Sequence, residues 1–170
     1  MSIVAVPALA LALYAMTAAS PLPLQPADGA SVDGVPCQPL EGQVVHMHAH
    51  LTILIKGSPL PIPSDVGRPA AANCIYWVHT HAADGIIHVE APTKRTFTLG
   101  TFFALWGQPL GAANVAGIPV AAGEHVRAYL NGKAWERNPA AIALTPHADI
   151  MIEVGPPFPE PIPFTAWNGL

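Results

Sequence analysis

Six of the eight histidines fall in two short blocks: His46, His48 and His50 in the run HMHAH, and His79, His81 and His88 in HTHAADGIIH, with Glu90 two residues further on. In a strand, alternate side chains point to the same side, so each block sets out its imidazoles as a row. Imidazole is the commonest protein ligand for transition metals, and a first-row ion asks for nitrogens converging at about 2.0 to 2.1 Å. His79, His81 and His88 supply three neutral nitrogens and leave a coordination position for water or a substrate. Glu90 on the same side can act as a fourth ligand, as an acceptor that orients a ligand, or, in an enzyme, as the catalytic general base. Imidazole suits copper, zinc, nickel and iron, and copper or zinc is the first expectation. A blue-copper centre is excluded, because it needs a free thiolate with a nearby Met, and no Met follows Cys74 until Met151. His125 and His147 stand alone and read as ordinary solvated or hydrogen-bonded histidines.

The elements that must position these side chains follow from hydrophobic period. Residues 44–56 alternate, with Val45, Met47, Ala49, Leu51, Ile53 and Ile55 on one side and the three histidines on the other, which predicts a half-buried strand. Residues 74–81 and 86–90 read as two strands joined through Asp84-Gly85, a turn signal. With His81 opposite Ile86, His79 faces His88 and Trp77 faces Glu90. A bulge at Gly85 would move His88 to the other side, so the three-histidine set depends on the turn. Residues 96–99 are expected to extend the sheet. Residues 101–107 (TFFALWG) predict a short helix with Thr101 as N-cap and Gly107 as stop, its Phe102, Leu105 and Trp106 covering the sheet. Residues 125–130 and 133–136 form a hairpin across Asn131-Gly132, and residues 148–154 a last strand with Ile150, Ile152 and Val154 inward. About seven strands and one short helix indicate an all-β domain over 43–155, a β-sandwich or a small β-barrel. If strand 44–56 neighbours strand 74–81, the two histidine blocks converge.

Composition narrows the function classes. The chain has 170 residues, 51% of them hydrophobic and 11% charged, with a net charge of -4. That is enough for one core, and the absence of a basic cluster excludes nucleic acid as a partner. Residues 3–19 form an apolar run with small residues at its end and just beyond, Thr17-Ala18-Ala19-Ser20, read as a signal peptide cleaved after Ala19; a retained membrane anchor is the alternative. Cys37 and Cys74 are the only cysteines and, in an exported chain, are expected to form a disulfide. Residues 20–42 read as a Pro/Gly-rich linker and arm held through Cys37, and 156–170 as a proline-rich tail lying over the body or an edge.

The block YWVHTHAADGIIHVEAP, followed by RTFTLGTFFALWGQPL, resembles a family of uncharacterised exported bacterial proteins sharing an HTHxxxGIIHVE core, over most of residues 44–155. The resemblance implies export and no particular activity. The sequence therefore predicts a secreted or periplasmic copper- or zinc-binding protein. Two alternatives stay open: a cell-surface interaction module whose histidines carry no metal, and a small metal-dependent enzyme with an open three-histidine site.

Overall fold

The computed structural model describes residues 29–170; the expected signal peptide or anchor lies outside the described residues. Twelve strands and one helix follow in order: β1 Cys37–Gln38, β2 Val45–Ile55, β3 Ser58–Pro59, β4 Ile75–Tyr76, β5 Val78–His79, β6 Ile86–Ala91, α1 Leu99–Trp106, β7 Leu110–Gly111, β8 Asn114–Val115, β9 Ile118–Pro119, β10 His125–Leu130, β11 Lys133–Ala134 and β12 Ala148–Gly155. The fold is all-β. Seven strands form one sheet in the order β11-β10-β12-β2-β6-β5, with β3 added beside β2; β1 pairs with β4, and β7, β8 and β9 make a small third sheet. The main sheet ends at β11 and β5 without closing, so the barrel alternative does not hold.

Period-two patterning decides which way this sheet faces. Ala49, Leu51 and Ile53 of β2 share a side with Ile87 and Val89 of β6 and with Ile150, Ile152 and Val154 of β12, and all are buried. Phe102, Phe103, Leu105 and Trp106 of α1 belong to the same core. Each such side chain taken out of water stabilises the fold by roughly 1.5–3 kcal/mol, which fixes the register of β2 and sends its histidines to the opposite face.

The helix begins three residues earlier than the sequence suggests. Thr98, not Thr101, is the N-cap, accepting a hydrogen bond from the Thr101 amide at 3.3 Å. The Thr101 hydroxyl is instead buried inside the first turn and donates to Asp33 Oδ2 at 2.6 Å. Consequently residues 96–99 do not extend the sheet; only Thr98 makes a bridge, to Ala143. Gly107 closes the helix in the left-handed region, as its position predicts, and Asn131 and Gly132, both at positive φ, turn β10 into β11.

Part of the second face of the main sheet, over β10, β12 and His50, is covered by the chain beyond β12. Phe158 lies under the Arg127 guanidinium at 3.9 Å, Phe164 stacks on His50 with ring centroids 3.6 Å apart, and the Phe164 amide donates to Asp149 at 2.9 Å. At the other end, Cys37 and Cys74 are joined by a disulfide, which ties β1 to β4. The two cysteines are 37 residues apart, so the bond removes about 4 kcal/mol of loop entropy from the unfolded chain. Replacing both by serine is expected to cost about that much in denaturant unfolding; a loss under about 1 kcal/mol would mean that strand pairing alone holds the arm.

Candidate metal centre

The site is built across three adjacent strands, with β6 in the middle. Register places His46 opposite Glu90 and His48 opposite His88 between β2 and β6, and His79 opposite His88 between β5 and β6. The row His79, His88, His48 therefore crosses the sheet in one line. The blocks meet because β6, not the 74–81 segment, is the neighbour of β2; a bulge that would have turned His88 away does not form. Gly85 holds this arrangement: at φ +82 its carbonyl accepts a hydrogen bond from the Leu51 amide, and a Cβ there would fall 2.6 Å from the Leu51 oxygen.

Among the described residues, two sets of four have ligand atoms all within 4.8 Å of one another: His46, His48, His88 and Glu90, and His79, His81, His88 and Glu90. Ligands of a tetrahedral first-row ion sit about 3.3 Å from each other, given bonds of about 2.0 Å. The His79 and His81 Nε2 atoms are 3.1 Å apart and His46 Nε2 is 3.3 Å from Glu90 Oε1, so parts of each set already stand at that spacing. His50 does not join either set. Its Nδ1 lies 3.2 Å from Asp149 Oδ1 and its ring is stacked under Phe164.

Burial and hydrogen bonding prepare the nitrogens as donors of lone pairs. His79 is fully buried because Gly67 lets residues 65–68 pass directly over it; a Cβ at Gly67 would meet the Val78 oxygen at 2.4 Å and the His79 Cβ at 2.9 Å. The His79 Nδ1 proton is donated to the Tyr76 carbonyl at 2.9 Å, leaving Nε2 as the acceptor that faces His81. Burial pushes the His79 imidazole down to about 3, partly offset by that carbonyl, and holds His88 at about 4 with help from His81 and His48. His48 is lowered by burial and by His46 and His147. His48 Nε2 and His88 Nδ1 are buried with no hydrogen-bond partner, an arrangement that costs energy unless another group accepts their lone pairs or protons.

Glu90 behaves oppositely: burial, followed by the neighbouring Glu41 carboxyl, raises it to about 7. Hydrogen bonds from Gly42 and Val44 to the β6 backbone hold the arm against that strand and bring Glu41 over the site, 3.9 Å from His81 Nε2. A cavity of about 520 Å³ opens onto His46, His48, His81, His88 and Glu90, walled by Pro146, His147, Gly169 and Leu170. Glu41 and His147 are the two neighbours that sequence reasoning missed. Glu41 lies in a segment with no period, and His147 comes close only because β12 runs parallel to β2, with the His147 amide on the His48 carbonyl at 2.8 Å.

Among the described residues, no helix is long and apolar enough to cross a membrane. Comparison with family models, with curated proteins and with solved structures returned no match.

Proposed function

We propose that the protein binds a transition-metal ion, copper or zinc, in an oxidising compartment, as a secreted or periplasmic metal carrier or sensor. One observation carries this reading: two four-residue sets of His and Glu donors, each within 4.8 Å, which between them hold two buried imidazole nitrogens without hydrogen-bond partners, beside a cavity. A purely structural set of strand histidines would satisfy its buried nitrogens with protein donors or acceptors. The chemistry of the donors, neutral imidazoles with one carboxylate, matches zinc and copper(II) better than the all-oxygen preference of calcium or magnesium. The disulfide supports the oxidising compartment. Protein purified without a histidine tag is expected to carry metal, or to bind zinc or copper(II) with Kd below about 1 μM at pH 7 by calorimetry. Affinity weaker than that for both ions overturns the reading.

Glu90 favours a second reading, in which the ion activates water. A carboxyl raised to about 7 and facing a cavity is suited to accept and return a proton near neutral pH. Zinc-dependent hydrolysis of an activated ester, lost in Glu90→Gln while metal remains bound, would support it; equal rates in the two proteins would leave the carrier reading alone.

A further inference from the structure

We propose that the site holds two ions, one on each side of the His88–Glu90 pair, with the Glu90 carboxylate bridging them; this deepens the metal-binding reading and rests on it. The two donor sets have His88 and Glu90 in common and nothing else. His46 and His48 come from β2, on one flank of β6, while His79 and His81 lie on the other flank, at the end of β5 and just beyond it. Six donors converge, and a four-coordinate ion uses only four of them. A single ion would therefore leave one histidine pair without an ion to ligate.

The shared residues are oriented for division between two ions. Glu90 Oε1 stands 3.3 Å from His46 Nε2 and 3.6 Å from His88 Nδ1, whereas Glu90 Oε2 faces His79 Nε2 at 3.9 Å. Its two oxygens thus address opposite flanks, as a carboxylate does when it joins ions about 3.5–4 Å apart. The His88 ring meets His48 edge-on at 4.6 Å on one side and His81 edge-on at 4.3 Å on the other. Two divalent ions among neutral imidazoles require more than one negative charge nearby, and Glu41, 3.9 Å from His81 Nε2, provides the second. The cavity touches residues of both flanks, so solvent or a small anion has access to complete each coordination sphere.

Metal content and spin coupling test the proposal on the untagged full chain with its disulfide intact. Zinc loading followed by elemental analysis is expected to give two ions per chain. It should give one in His46→Ala/His48→Ala and one in His81→Ala, the latter a milder change on a half-exposed residue that keeps the buried His79 in place. Far-ultraviolet circular dichroism identifies the variants that remain folded. Copper(II) added to two equivalents should give an electron paramagnetic resonance signal broadened or quenched by its neighbour. One zinc per wild-type chain, or two copper ions with independent spectra, overturns the two-ion centre and leaves the single-ion reading standing; no metal at all overturns both. A folded His46→Ala/His48→Ala protein that binds none also overturns it, because it marks one centre that needs all the donors.

Discussion

Replacing His88 with alanine is expected to weaken zinc and copper binding by about 100-fold or more, while His50→Ala changes it by less than about threefold. His88 is the one histidine present in both donor sets, so no alternative arrangement of the remaining ligands escapes its loss. His50 sits on the same face but hydrogen-bonds to Asp149 and stacks on Phe164, and neither set includes it. Thermal stability gives a second readout. Zinc at 100 times its Kd adds about 2.7 kcal/mol to the native state of the wild type. With Kd raised 100-fold, the same zinc concentration adds only about 0.4 kcal/mol. His50→Ala should keep the zinc-induced increment even if the starting stability falls through lost stacking. Equal increments in His88→Ala and wild type would place the ligands elsewhere.

The second large effect is in pH dependence, where the buried imidazoles and Glu90 act in opposite directions. In the metal-free protein His79 and His88 stay neutral down to about 3 and about 4, whereas in the unfolded chain they take up protons below about 6.5. The unfolded state therefore binds more protons between those limits. Their contribution is complete above about pH 6.5 and is lost as pH falls through the folded values. Glu90, at about 7 when folded against about 4.3 unfolded, makes the native state the better proton binder between those values, so its contribution is lost as pH rises from about 4.3 through 7. Two imidazoles outweigh one carboxyl, so metal-free protein should gain stability as pH rises to about 6.5 and lose it from there to about 7, and Glu90→Gln should raise its melting temperature at pH 8. With metal the sign for Glu90 reverses, because a cation favours the carboxylate. Near pH 6, ion binding should expel the Glu90 proton, whereas His79 and His88 have none to release. The slope of log Kd against pH between 5.5 and 7 should be shallower by about one proton in Glu90→Gln. Identical slopes in wild type and variant would remove Glu90 from the coordination sphere.

Parity makes much of this site legible in the amino-acid sequence. The alternation of residues 44–56 assigns His46, His48 and His50 to one side by local geometry; the Asp84-Gly85 turn allows His79 opposite His88, the register that the structure adopts, but also a bulged pairing. What local geometry does not encode is which strand lies next to which. The insertion of β6 between β2 and β5, and of β12 beside β2 in parallel, is decided by packing between residues far apart in the chain. That pairing brings in His147, which looks like a lone loop histidine. It also engages His50, which lies outside both donor sets, with Asp149 arriving on β12. The N-cap shows the same limit at smaller scale: Thr98 and Thr101 are equivalent as cap residues, and Asp33, 68 residues away from Thr101, settles which one enters the helix. Glu41 carries no signal of its own because its position depends on backbone bonds from an arm without hydrophobic period.

Because β12 is central in the main sheet yet the last strand among the described residues, that sheet is completed in a particular order. All the donors of both sets lie between residues 46 and 90, so a chain emerging from its amino end presents all six of these donors, and both cysteines of the disulfide, more than fifty residues before Ala148–Gly155 appears. During that interval β2 has a bare edge where β12 will pair with Ala49 to Ile55, an edge open to association with other chains. An ion captured early would clip β2, β5 and β6 together and shield that half while it waits for its last strand.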